Sequence, residues 1–145
     1  MLGMSGHLAE DRSFESIVVG ESASLETRIL ERDVETFAQL SGDYNPLHTD
    51  VSYAALTPFK ERVVHGMLLG SFVSRLVGMQ LPGRRALLVK ETLEFIMPVH
   101  IGNTINVTGT VVAKSESTGL IELKIVITSG GTVASTGTVH VRVRA

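Results

Sequence analysis

From Arg85 to its end the chain reads as β structure, and that run constrains the fold more than any other feature. Strand candidates cover 86–96, 104–114, 120–128 and 132–144, with turns at 98–103, 115–119 and 129–131. Strands this long, joined by Gly-rich turns, predict an antiparallel meander. A fifth strand is predicted upstream, where Ala23, Leu25, Thr27 and Ile29 alternate with Ser24, Glu26 and Arg28.

Between these β segments the period changes. Val34, Phe37, Ala38 and Ser41 mark one face of a short helix, with acids Glu31, Asp33 and Glu35 in its first turn. Gly42 stops it, and residues 43–46 form a turn in which Pro46 biases Asn45 away from helix. Thr49 or Asp50 caps a short helix through Ala55, which Pro58 closes. A longer helix starts at His65 or Gly66 and runs to about Met79. Met67, Leu68, Leu69, Phe72, Val73, Leu76 and Val77 cover much of its circumference, so it is expected to be mostly buried. Gly66, Gly70, Ser71 and Ser74 leave a narrow face of small residues for close approach by a backbone or ligand. One long apolar helix against a curved five-stranded antiparallel sheet buries both faces economically, so the expected class is α+β.

A length of 145 residues suits one domain spanning 1–145, with residues 1–15 expected as a flexible tail. Net charge is −2 with mixed signs, which gives no nucleic-acid footprint. The absence of cysteine excludes disulfides, thiolate metal sites and cysteine nucleophiles. The first residues lack the basic start and apolar core of a signal peptide, and no apolar run reaches the roughly 20 residues that cross a bilayer. The expectation is a cytoplasmic protein without membrane partners.

The chemistry-bearing residues cluster between Phe37 and Leu69. Asp43 and His48 lie five residues apart across the turn, and a carboxylate and an imidazole that close can share one water. Spacing alone leaves a structural reading open, because aspartates cap helices and histidines sit on surfaces. The polar turn beside an apolar helix favours acid–base chemistry. Gly66 opens the helix, whose first amides lack internal partners, so a carbonyl oxygen can approach its N–H closely. Losing one such oxyanion donor typically costs about 2.7–4 kcal/mol. His65 reads as a partly buried structural histidine. Asp43, His48, Asp50 and His65 match no established metal-ligand spacing, so no metal is expected. His7, His100 and His140 read as surface residues, and so do most of Arg62, Arg75, Arg84 and Arg85. Ser71 and Ser74 could hydrogen-bond a substrate, but no base is placed to make either a nucleophile.

The run Phe37-Ala-Gln-Leu-Ser-Gly-Asp-Tyr-Asn-Pro-Leu-His-Thr-Asp50 closely resembles the hydratase motif of the MaoC-like family, specifically that of the (R)-specific enoyl-CoA hydratases. Agreement continues through Ala54, Ala55, Phe59, Arg62-Val-Val-His-Gly-Met-Leu-Leu69 and Leu81-Pro-Gly83. Phe95-Ile-Met-Pro-Val-His-Ile-Gly-Asn103 is similar to the family's signature before its third strand. Leu30 departs from the pattern, standing where a Ser or Thr cap is common.

The resemblance implies a hot-dog fold, with a five-stranded antiparallel sheet wrapped around a long central helix and short extra helices carrying the motif. It implies a homodimer, a substrate that is an acyl-CoA thioester, and no cofactor beyond the coenzyme A of that substrate. It carries the catalytic roles to Asp43 and His48, the thioester-carbonyl contact to Gly66, a place in the active-site lining to Ser74, and a place in the turn that orients the dyad to Asn45. The implied reaction is reversible addition of water to a trans-2-enoyl-CoA, giving the (R)-3-hydroxyacyl product. Alternatives on the same fold are dehydration of a 3-hydroxyacyl chain on acyl carrier protein, or of a branched or dicarboxylic acyl-CoA. From a different class comes a non-catalytic acyl-thioester-binding module. Leu68, Phe72 and residues 51–59 are the expected tunnel lining.

Overall fold

The computed structural model describes residues 8–145, so the expectation for His7 lies outside the described residues. The elements follow in the order β1 (Ser22–Arg28), α1 (Glu31–Ser41), α2 (Pro46–Thr49), α3 (Val51–Ala55), α4 (Gly66–Met79), β2 (Ala86–Phe95), β3 (Thr104–Ser115), β4 (Leu120–Ser129) and β5 (Thr132–Val143). All five strands form one antiparallel sheet, ordered β1-β3-β4-β5-β2.

That order corrects the expected meander. Only β3, β4 and β5 follow one another; β2 pairs with β5 at one edge, and β1 with β3 at the other. The reason lies in residues 96–103, which make a crossing rather than a tight turn. Val64 N–H donates to Val99 O at 2.7 Å, and Gly102 N–H donates to Ile29 O at 2.7 Å. The segment therefore runs over the start of α4 and past the end of β1 before β3 begins.

Alternation builds the core. In β4, Ile121, Leu123, Ile125 and Ile127 point inward, beside Ile105, Val107 and Val111 of β3 and Val139 and Val141 of β5. Helix α4 lays Leu69, Val73, Leu76 and Val77 on this surface. Each such fully buried side chain stabilises the fold by about 1.5–3 kcal/mol. Gly109 lets the helix settle, because a Cβ there would lie 2.7 Å from Leu76 Cδ2. The helix, expected to be mostly buried, is buried on one side: Met67, Ser71, Ser74 and Arg75 are exposed in the single chain.

Part of the segment expected to be flexible is held in place. Glu10 N–H donates to Met79 O (2.9 Å), Arg12 N–H to Pro82 O (3.2 Å) and Arg84 N–H to Glu10 O (2.8 Å), which ties residues 10–12 to the segment after α4. Ile17 is buried in the core. An ion pair between Arg12 and Glu21 holds the connection to β1.

Candidate active site

The motif segment hangs between α1 and α4. Gly42 takes the left-handed conformation (φ 79°) as C-cap of α1, and its N–H donates to Ala38 O at 2.9 Å. The chain then turns on side-chain acceptors. Asp43 N–H donates to Ser41 Oγ (3.1 Å), Asn45 N–H to Asp43 Oδ1 (3.1 Å) and Leu47 N–H to Asn45 Oδ1 (3.0 Å). Asn45 thereby caps α2, with Pro46 at its first helical position. This one-turn helix, which carries His48, is a feature that periodicity did not predict. Asp50 ends α2 and caps α3, its Oδ1 accepting from Tyr53 N–H at 3.0 Å.

His48 Nδ1 lies 2.6 Å from Val63 O. A carbonyl can only accept, so Nδ1 carries a proton, and in the neutral ring Nε2 is then the nitrogen with the lone pair. This is the form a general base needs. Asp43 is exposed in the single chain and one of its oxygens is engaged by Asn45 N–H. Each of Asp43, His48 and His65 offers one ligand-capable atom, and these atoms all lie within 4.8 Å of one another. The His48 and His65 rings are stacked, with centroids 4.0 Å apart and planes 28° apart. One nitrogen of each ring is already engaged, His48 Nδ1 with Val63 O and His65 Nε2 with Asp43 O.

Asp43 and His48 open onto a cleft of ≈ 530 Å³, with Gly66 in its lining. Among the described residues, the N–H groups of Gly66 and Met67 have no hydrogen-bond partner, whereas Leu68 N–H already donates to His65 O at 3.1 Å. Two unpaired amides at the start of a 14-residue helix present partial positive charge to the cleft. The remaining wall is largely apolar and includes Phe59, Met67, Leu69, Phe95, Ile96 and Met97.

Three expected site residues lie apart from this lining. Asn45 spends its side-chain oxygen on the α2 cap, and Ser71 donates to Leu68 O within α4 at 2.6 Å. Ser74 is on the exposed side of that helix. Of the expected tunnel residues, Phe59 lines the cleft; Leu68 packs in the core and Phe72 against it. The wall from Phe95 to Val99 was not among the residues expected to hold the acyl chain, although the motif beginning at Phe95 marked its place. His65, read as structural, is in the lining too. His100 is half-buried beside Arg62 O (3.2 Å), and Arg62 is paired with Glu31 at 2.6 Å.

Outside the cleft, Glu91 on β2 faces α4. Burial pushes its carboxyl above the usual glutamate range, and its Oε1 has no hydrogen-bond partner among the described residues.

The chain is similar to known proteins over most of its length. The sequence model of the family described as "MaoC like domain" matches residues 15–132. An (R)-specific enoyl-CoA hydratase of Aeromonas caviae is 40% identical over 126 residues, covering 86% of this chain and 94% of that protein. One from Rhodospirillum rubrum is 41% identical over 132 residues, covering 91% and 92%. The unliganded R-hydratase structure from Pseudomonas aeruginosa superposes with a TM-score of 0.89 at 32% identity, covering 94% of this chain and 88% of that one. The fold is the hot-dog fold, as expected, and the chain belongs to the MaoC-like family.

Proposed function

We propose that this protein is an (R)-specific enoyl-CoA hydratase, adding water reversibly to a trans-2-enoyl-CoA. The observation that carries the reading is the pairing across one apolar cleft of His48, its Nδ1 held by Val63 O, with the unpartnered Gly66 amide. The similarity to hydratases over most of the chain supports it.

The thioester carbonyl accepts from Gly66 N–H, which draws electron density from C3 and stabilises the enolate-like transition state. Asp43 and His48 hold one water. His48 Nε2 takes a proton from it as the water oxygen bonds to C3, and C2 receives one proton from the pair on the same face. One water is consumed, the pair returns to its starting state, and the product is the (R)-3-hydroxyacyl thioester. These steps use no metal or cofactor beyond the coenzyme A of the substrate. A close acid–base pair titrates as a unit, so the two residues share the proton bookkeeping.

We also propose a cytoplasmic homodimer. No helix among the described residues is long and apolar enough to cross a membrane. Strand β2 leaves an open sheet edge with Leu87 and Val89 exposed, beside the uncovered face of α4 that carries Met67. Sedimentation of the purified protein at twice the chain mass of 15.6 kDa is expected; a monomer would refute the dimer. Loss of enoyl absorbance from crotonyl-CoA tests the activity, and a protein that consumes no enoyl-CoA refutes it.

A further inference from the structure

We propose that His65 is a positioning residue that fixes Asp43, His48 and the Gly66 amide to one another, a role that rests on the hydration reading. His65 is 2% exposed, and its hydrogen bond and its ring stack both go to the dyad residues. Nε2 lies 3.0 Å from the backbone carbonyl of Asp43. That oxygen accepts, so Nε2 carries the proton. The ring stacks on the ring of His48 at 4.0 Å and meets Phe37 at 4.8 Å, tilted by 57°. The next residue in the chain is Gly66.

One side chain therefore joins three separately folded pieces: the loop after α1 that holds Asp43, the short α2 that holds His48, and the first turn of α4. Among the described residues, no other side chain links the first two to the third by both a hydrogen bond and a ring stack. Core filling alone does not explain the choice of histidine. Nδ1 is buried with no hydrogen-bond partner among the described residues, an arrangement that costs stability. A leucine would fill the space without that cost, but it would provide neither the donor nor the stacking ring.

The function served is placement. Moving a reacting group by about 1 Å can cost about 10²-fold in rate. Asp43 is exposed and α2 is a single turn, so neither is held by burial in the core. The stack also limits rotation of the His48 ring, keeping Nδ1–H on Val63 O.

Three variants separate the two contacts. His65→Gln keeps a donor without the ring, His65→Phe keeps the ring without the donor, and His65→Leu keeps neither. Hydration of crotonyl-CoA is measured for kcat and KM, thermal unfolding checks the fold, and nitrogen-15 NMR of histidine-labelled free protein reads the His48 tautomer. The expected result is KM within about twofold throughout, with kcat down about 10-fold for Gln and Phe and about 10²-fold for Leu. His48 is expected to show one Nδ1–H tautomer in wild type and His65→Phe, and a mixture in His65→Leu or, should that variant not fold, in His65→Gln. Wild-type kcat in the Gln and Phe variants, a loss carried entirely by KM, or an unchanged single tautomer without the ring would each overturn the proposal. Absence of hydration by wild type would refute the function instead, while the tautomer measurement on free protein still decides the role of His65.

Discussion

The ring of Phe95 abuts Gly66 so closely that a Cβ on the glycine would lie 2.8 Å from Phe95 Cζ. Glycine at this position thus serves two ends at once, leaving room for a carbonyl oxygen beside its amide and for the aromatic wall above it. Gly66→Ala is expected to lower crotonyl-CoA turnover by about 10–10²-fold, less than outright loss of an oxyanion donor, because the N–H remains. Phe95→Ala in the Gly66→Ala background is expected to recover part of that loss. No recovery would mean that the methyl group blocks the thioester itself and not the ring.

Asp43→Asn and His48→Ala are each expected to reduce hydration by about 10²–10⁴-fold, the usual worth of positioned acid–base groups. Asparagine still accepts the Asn45 N–H at the place where Asp43 Oδ1 does, so the turn is kept. Circular dichroism should match wild type. Near-normal turnover by either variant would remove it from the dyad.

Asn45 supports His48 from behind, through the cap of α2. Asn45→Ala is expected to cost about 0.5–2 kcal/mol of stability, read from urea denaturation. Turnover should fall as well, since the helix that loses its cap carries the base. A stability loss with unchanged kcat would show that α2 keeps its place without the cap.

Glu91 provides a pH dependence with a definite sign. Burial holds its folded-state pKa above the unfolded value, so between the two the folded chain binds more protons than the unfolded one. Its contribution to stability is complete below the ordinary glutamate range and is lost as pH rises through the folded value. Glu91→Gln is expected to raise Tm at neutral pH, with the gain vanishing on acidification below that range. Equal Tm values for variant and wild type at neutral pH would sink the argument.

Much of this architecture was legible because its signals are local. The limits of α4 follow from Gly66 and the apolar run behind it, and β3 to β5 from alternation bounded by Gly-rich turns. The Asp43 turn is written in Gly42, Asn45 and Pro46. What escaped was either too short or too distant in sequence. α2 is four residues long and cannot display a helical period. The pairing of β2 with β5 joins segments whose own sequences say nothing about each other. α4 is apolar on several sides, so periodicity could not decide that Met67 and Leu69 line the cleft while Leu68 and Phe72 do not. His65 looked ordinary because its partners, Asp43 O and the His48 ring, come from 22 and 17 positions away.

The crossing of residues 96–103 has a consequence for how such a protein can diversify. Through the Val64–Val99 hydrogen bond it binds the apolar wall to the root of α4, so wall and Gly66 amide travel together with the sheet. The segment from Asp43 to Arg62 lies outside that frame, an outrigger held by the His48–Val63 and His65–Asp43 contacts and by the Arg62–Glu31 ion pair. Drift in the outrigger can reshape the mouth of the cleft without disturbing the strand register beneath it. Grafting a relative's outrigger onto this sheet is therefore a direct route to altering which acyl chains are accepted.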